Sequence, residues 1–258
     1  MKIVIITGEE SGDELGASLV DALRNFGLNE FELFGIGGSL LLERGMTNFH
    51  HIKEISVMGI IEVIPKILQI KKIINNVTES ILELKPDIVV SIDSPDFTLR
   101  IAKKIKSRNS NIKILHYVAP SVWGWRPNRI YTVKSAVDKL LTILPFEKKL
   151  FEEKQVAATF VGHPITDKIK PKITFDEFNN KYITGNKKPI LLILPGSRKP
   201  EIDKLLNIYL NAVENYNFYD NFSLVLPIKK QLTSYVRNII KAANISFDVT
   251  ILDNEEAK

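Results

Sequence analysis

The opening strand of this chain runs without a break into an acidic turn and then a helix, and that junction limits the possible folds more than any other feature. Lys2-Ile-Val-Ile-Ile-Thr7 is a short, continuous, β-branched run. Such runs belong to strands buried on both faces of a parallel sheet. Gly8 permits a tight exit. Ser11-Gly-Asp-Glu14 reads as a capping box, with Ser11 as N-cap and Glu14 three residues on. Leu15, Leu19, Ala22, Leu23 and Phe26 follow at helical spacing. In an open α/β sheet, ligands bind outside the carboxyl ends of the strands, so this loop faces a site. Its carboxylates stand out there, because Glu9 and Glu10 repel the anion that a neutral or basic phosphate cradle would attract. Asp13 and Glu14 read as favouring the helix N-terminus electrostatically. Glu9, which precedes the helix, is a candidate site residue.

Strand and helix patterns then alternate. Strands are predicted over Phe31–Ile36, Asp87–Ile92, Ile112–Val118, Lys139–Leu144 and Thr159–Val161, with a helix from about Asp96 to Arg108. The stretch from Asp167 to Lys188, rich in Lys, Asn, Pro and Thr, reads as a crossover with one amphipathic patch around Phe175 and Phe178. A second series follows: strand Pro189–Leu194, helix Glu201–Asn217, strand Phe222–Leu226, helix Lys229–Ala243 and strand Phe247–Leu252. Alternation of this kind predicts parallel α/β layers twice over. The expected domains are 1–166, a linker over 167–188, and a partial domain over 189–258. The last strand runs into a helix start with no helix after it, so the chain reads as a truncated version of a longer one.

Composition removes several classes. With no cysteine there is neither a disulfide nor a thiolate metal site. His50 and His51 are adjacent, His116 and His163 stand alone, and no metal-ligand spacing is present. Gly35-Ile-Gly37-Gly38 lacks the full dinucleotide fingerprint and follows the second strand, which counts against a nicotinamide enzyme. Gly37 and Gly38 are kept as cleft positions. The N-terminus lacks the pattern of a signal peptide, and no apolar run approaches the roughly 18 residues that span a bilayer. A net charge of +5 suits anionic partners. No basic block interleaved with aromatics points to nucleic acid.

Val57 to Leu84 is different in texture. Met58, Ile60, Ile61, Val63, Ile64, Ile67 and Leu68 are apolar nearly all round, with Lys66, Lys71 and Lys72 among or just after them. Such a helix is either buried in a core or touches a membrane. In the second case each lysine near an anionic surface adds about 1 kcal/mol. The pattern alone leaves both readings open.

Three strand ends carry chemistry. Asp93, in Ser91-Ile-Asp-Ser-Pro-Asp-Phe97, is the first polar residue able to project beyond its buried strand. A carboxylate there can take a proton from a substrate hydroxyl, while Asp96 reads as a helix cap. Both tryptophans lie in Pro120-Ser121-Val-Trp123-Gly-Trp125-Arg126-Pro127. Aromatic faces beside a cation suit a sugar ring or a phosphate, and a loop anchored by its indoles is the competing reading. Pro195-Gly196-Ser197-Arg198 offers a close backbone approach, helix N-terminal donors and a guanidinium to a diphosphate.

In that order, GEESGD, SVMGIIEV, KPDIVVSIDSPDF, HYVAPSVWGWRPNRI, LPFE, FVGHP and LPGSR closely resemble lipid-A-disaccharide synthase. The resemblance covers essentially the whole chain. It implies a GT-B-type α/β fold of two Rossmann-like parallel-sheet domains, the second incomplete here. It also implies an inverting glycosyltransferase that joins UDP-2,3-diacylglucosamine to 2,3-diacylglucosamine 1-phosphate, releasing UDP, on the cytoplasmic face of the inner membrane. No metal or organic cofactor is implied. Asp93 matches the family's general base, Glu9 and Ser11 its acidic loop, and Arg198 the arginine that meets the donor diphosphate. The Met58–Leu68 region matches the apolar face that docks on lipid and admits acyl chains. Family members continue past Lys258, so the uridine grip is expected from residues this chain lacks, and a separate polypeptide is a candidate to supply them. Two other readings remain: a non-catalytic or split fragment that binds lipid-linked glucosamine, and a UDP-sugar epimerase-like enzyme on the same fold.

Overall fold

The computed structural model describes residues 1–52, 55, 60–168, 173–183 and 188–253; of 60–67 and 167–168 it describes the backbone alone. They form two compact units, Met1–Ile169 and Lys170–Lys258.

The first unit begins β1 (Lys2–Thr7), α1 (Glu10–Asn25), β2 (Glu32–Gly37), α2 (Ser39–Glu43) and β3 (Thr47–His51). It continues with α3 (Ile60–Leu84), β4 (Ile88–Ile92), α4 (Pro95–Arg108), β5 (Lys113–Tyr117) and α5 (Arg129–Ala136). It ends with β6 (Lys139–Thr142), α6 (Pro145–Glu152), β7 (Ala158–Phe160) and α7 (Ile165–Lys168). Its seven strands are ordered β3-β2-β1-β4-β5-β6-β7, and every pairing is parallel.

The unbroken apolar run of β1 follows from this central place. Successive side chains point to opposite faces, so Ile3 and Ile5 pack with Leu15, Val20 and Leu41 under α1 and α2. Val4 and Ile6 pack on the other face with Ile73, Val77 and Ile81 of α3 and with Leu99 and Ile105 of α4. Each such side chain contributes about 1.5–3 kcal/mol of burial.

From Ile70 onward, α3 is an ordinary core helix rather than one apolar all round. Ile73, Ile74, Val77 and Ile81 are buried, while Lys71 and Lys72 face solvent. Its far end is tied to α4 by Lys104 to Asn75 at 2.5 Å and by the Arg108–Glu79 ion pair.

The second unit contains α8 (Phe175–Tyr182), β8 (Ile190–Leu192), α9 (Lys199–Asn215), α10 (Phe218–Asn221), β9 (Ser223–Ile228), α11 (Thr233–Ala243) and β10 (Thr250–Asp253). Helix α8 falls inside the stretch read as a crossover, and Thr174 caps it by accepting from the Glu177 N–H at 3.2 Å. The sheet is parallel, in the order β10-β9-β8. Its core joins Ile202, Leu206 and Leu210 to Leu224, Leu226 and Val236. Val249 and Ile251, at the β10 edge, are half-buried against that core.

Candidate functional site

Strand order reverses between β1 and β4, which makes their carboxyl ends the topological switch point where open α/β sheets bind ligands. Thr7 pairs with Ile92, so Gly8 and Asp93 are the next residue out on each strand. They stand close: a Cβ on Gly8 would lie 2.5 Å from the Ser94 Cβ, so no larger residue fits at Gly8 without moving this loop.

Asp93 and Ser94 are both left-handed, with φ of 50° and 42°. Such conformations cost non-glycine residues about 1–3 kcal/mol each and gather at functional sites. The Asp93 backbone is fixed at both ends. Its N–H donates to the Tyr117 carbonyl at 2.9 Å, and its carbonyl accepts from Thr98 Oγ1 at 2.6 Å. The carboxylate itself makes no hydrogen bond or ion pair with the described residues and lines a groove of about 960 Å³. Glu9, Gly8, Ser94, Phe97, Arg100 and Lys103 line it too, with Ile70, Lys71 and Ile74 of α3 opposite.

Of the acidic-loop residues, Glu9 reaches this groove and Ser11 does not line it. Ser11 is also not the N-cap. The helix opens at Glu10 with extended Glu9 as its cap residue, and Ser11 lies exposed in the first turn. Asp13 has a different task from the one expected. It is buried and turns away from its own helix to accept the N–H groups of Gly38 at 2.7 Å, Leu40 at 3.0 Å and Leu41 at 3.3 Å. It thus satisfies the orphan donors of α2. Gly37 and Gly38 are correspondingly buried packing positions rather than cleft-lining ones. A Cβ on Gly37 would fall 2.4 Å from the Met46 Cε, and one on Gly38 would fall 2.6 Å from an Asp13 oxygen.

The tryptophan loop is held by charge. Asp96 accepts from Arg126 at 3.1 Å and from Arg129 at 2.5 Å, so its carboxylate pairs with guanidinium groups instead of capping α4. Ser94 holds the cap position. Arg126 also stacks over Trp125 at 4.4 Å. Trp123 is half-exposed, meets Phe146 edge-on at 5.4 Å and points its indole N–H at the buried Glu147, 3.4 Å away. Glu147 also accepts the Leu144 N–H at 3.1 Å, so the Leu-Pro-Phe-Glu run anchors the tryptophan loop. Ser121 is exposed, and its carbonyl closes the turn by accepting from Gly124 and Trp125. Arg126 lines a second cavity of about 560 Å³, bounded also by Arg100, Lys103 and Arg129.

Of the residues assigned to lipid, Met58 lies outside the described residues, as do the side chains of Ile60, Ile61, Val63, Ile64 and Ile67. Leu68 is described and is 78% exposed.

In the second unit Gly196 is left-handed, with φ of 111°, and Arg198 is exposed. The N–H groups of Ser197 and Arg198, expected to meet a diphosphate, donate at 2.9 and 3.2 Å to one oxygen of Glu201. An anion at this loop must therefore displace the chain's own carboxylate.

His116 is fully buried on β5, with Nδ1 2.8 Å from Ser91 Oγ. Burial pushes its pKa down to about 4, against a smaller opposing pull from Ser91. It is therefore neutral near pH 7. Among the described residues no group of three or more His, Cys, Asp or Glu is placed to hold a metal, and no helix is long and apolar enough to cross a membrane.

The sequence missed the row Arg100, Lys103, Lys104 and Ser107 on α4. Its spacing puts all four on one helix face, a pattern shared with any solvated helix. The one signal the row carries is that its helix begins two residues after Asp93.

Residues 3–258 match the family model described as lipid-A-disaccharide synthetase. The chain is 35% identical over 256 residues to the lipid-A-disaccharide synthase of Blochmanniella pennsylvanica, covering 99% of this chain and 65% of that protein. It is 36% identical to that of Idiomarina loihiensis, covering 100% of this chain and 68% of that protein. The chain thus spans about two thirds of the length of these relatives. In structure it is similar to UDP-GlcNAc 2-epimerase from Neisseria meningitidis bound to UDP-GlcNAc, with a TM-score of 0.63, 14% identity, and coverage of 99% of this chain and 73% of that one. It is also similar to the S. aureus MnaA–UDP co-structure, with a TM-score of 0.65, 17% identity, and coverage of 98% of this chain and 68% of that one. At such identities the likeness establishes the fold alone, and that fold is the GT-B-type parallel α/β class.

Proposed function

Since the chain belongs to the lipid-A-disaccharide synthetase family, we propose that it acts in lipid A synthesis as a glycosyltransferase, with Asp93 as its general base. The donor is UDP-2,3-diacylglucosamine and the acceptor 2,3-diacylglucosamine 1-phosphate. The Asp93 carboxylate takes the proton of the acceptor 6-hydroxyl as that oxygen bonds to C1 of the donor sugar. The bond from C1 to the UDP oxygen breaks on the opposite face, UDP leaves with the bonding pair, and the configuration at C1 inverts. General-base assistance of this kind contributes about 10²–10⁴-fold in rate.

The observation that carries the reading is the carboxylate of Asp93. It has no partner among the described residues, is set on a strained backbone at the switch point, and opens onto a groove. Glu9 lines the same groove and bounds the reacting hydroxyl on its other side. Arg198 meets the donor diphosphate once Glu201 has moved aside. Trp123, Arg126 and Ser121 belong to the acceptor side, with the indole as a platform for a sugar ring. Exposed Leu68 and the apolar residues before it dock on an anionic membrane surface, at the cytoplasmic face of the inner membrane.

The experiment supplies both lipid substrates to the folded chain and follows the disaccharide by mass. Product is expected, and Asp93→Ala should lower turnover about 10²–10⁴-fold with an unchanged circular dichroism spectrum. Unchanged turnover in Asp93→Ala removes the base assignment. Acceptor binding without product favours a binding fragment of the enzyme. The second reading, a UDP-sugar epimerase-like enzyme on the same fold, is tested by the same assay with UDP-GlcNAc as the nucleotide sugar.

A further inference from the structure

The groove at Asp93 has an uneven charge distribution. Five basic and three acidic side chains line it. Glu9 and Asp93 sit at the strand ends, while Arg100, Lys103 and Lys104 follow along α4, with Lys71 on α3 and Arg129 at the start of α5. Asp96 is already neutralised by Arg126 and Arg129, and Lys104 is tied to Asn75. Arg100 and Lys103 carry no hydrogen bond or ion pair with the described residues, and both line the two adjoining cavities at once. Unpaired arginines and lysines on a helix are usually just hydrated. These two differ in facing a concave wall made of Ile55, Ile70, Ile74 and Phe97. A volume of about 960 Å³ is also at the upper end for a small-molecule site.

From these observations we propose that Arg100 and Lys103 bind a phosphate monoester carried by an acylated amphiphile, with Ile70, Ile74 and Phe97 walling its hydrocarbon. Helix α4 opens at Pro95, two residues after Asp93, and Arg100 lies five residues further on, about 7.5 Å along the helix axis at 1.5 Å per residue. That spacing spans one sugar ring between a hydroxyl at Asp93 and a phosphate at Arg100. A guanidinium matches two phosphate oxygens in its plane, and the ammonium one turn on adds a mobile donor. The assignment rests on the acceptor reading of the proposed function and specifies which end of the acceptor points along α4.

The test measures binding rather than turnover, so it does not depend on the donor site. Affinities for 2,3-diacylglucosamine 1-phosphate and for the same lipid without phosphate are compared in neutral detergent micelles. The wild-type chain should prefer the phosphorylated lipid by about 10–100-fold, the worth of one or two charge-assisted bonds. The double variant Arg100→Ala, Lys103→Ala should lose that preference while holding the dephosphorylated lipid as before, and Arg100→Lys alone should keep part of it. Both residues are exposed, so folding is not at stake. A preference that survives in the double variant overturns the proposal. So does a wild-type chain that binds both lipids equally, an outcome that leaves the acceptor reading standing. Binding of neither lipid defeats the acceptor reading and this one together. In a parallel arm, vesicles of phosphatidylcholine with phosphatidylglycerol replace the micelles. Loss of vesicle binding with the micelle preference intact would reassign the two cations to membrane headgroups and overturn the proposal.

Discussion

Replacing Asp13 should unfold the first unit in graded steps, set by how many backbone donors each substitution strands. The carboxylate accepts three N–H groups, with Gly38 and Leu41 on one oxygen and Leu40 on the other. Alanine removes all three acceptors. A buried donor left without a partner costs about 1–3 kcal/mol. Leu40 is only partly buried, so water recovers some of its share. The total for Asp13→Ala is then about 3–5 kcal/mol, a large fraction of the 5–15 kcal/mol typical of a domain. Asparagine keeps one oxygen for Gly38 and Leu41 but turns an NH2 toward the Leu40 N–H, for about 1–2 kcal/mol. Urea unfolding read by fluorescence should show the midpoint falling by about 1–2 M for alanine and by less than half of that for asparagine. Gly38→Ala supplies a cross-check. Its Cβ would meet the same carboxylate at 2.6 Å, so its cost should shrink when Asp13 is already alanine, a coupling that a double-mutant cycle reads directly. Equal effects of alanine and asparagine, or a cost under about 1 kcal/mol for Asp13→Ala, would refute the reasoning.

Two further outcomes follow from burial and exposure. His116 is held near pKa 4 when folded and titrates near 6.5 when unfolded, so the unfolded chain binds the extra proton between those values. Its contribution is intact above pH 6.5 and is lost as pH falls toward 4, about 3 kcal/mol in all. Denaturant midpoints from pH 7.5 to 4.5 should therefore fall for the wild type and flatten in His116→Gln, and equal slopes would remove His116 as the cause. Leu68→Gln, at a side chain 78% exposed, should leave stability within about 0.5 kcal/mol and weaken sedimentation with anionic vesicles. Undiminished sedimentation would remove Leu68 from the proposed membrane contact.

The sheet was legible because buried parallel strands leave a signal in the chain itself. The runs at Lys2–Thr7, Asp87–Ile92 and Ile112–Val118 need no partner to be read, and each structural strand lies within them. Strand β3, Thr-Asn-Phe-His-His, was missed because it lies at the edge, half-exposed and polar, with no apolar run to betray it. Asp93 was legible because a carboxylate ending an apolar strand adds nothing to the core and sits where open sheets take their ligands. The role of Asp13 was not, since its partners lie 25–28 residues away and local sequence shows only an acid in a first turn. The same holds for Asp96, whose arginines come from the loop after the next strand and from the start of α5, 30 and 33 residues away. In both cases a long-range partner overrode the local capping rule.

The carboxylate of Glu201 has a consequence for how the loop at Gly196–Arg198 meets any anion. Because the chain already holds a negative group against the Ser197 and Arg198 N–H groups, an incoming anion binds by exchange rather than by addition. The observed affinity is the intrinsic one reduced by the fraction of molecules in which Glu201 has swung clear. Weak anions, whose contacts fall short of the internal pair, are turned away without any steric barrier. A polyvalent ligand that also engages the Arg198 side chain replaces what it displaces. The loop therefore acts as a threshold toward anions, filtering them by the charge they present before any other part of them is met.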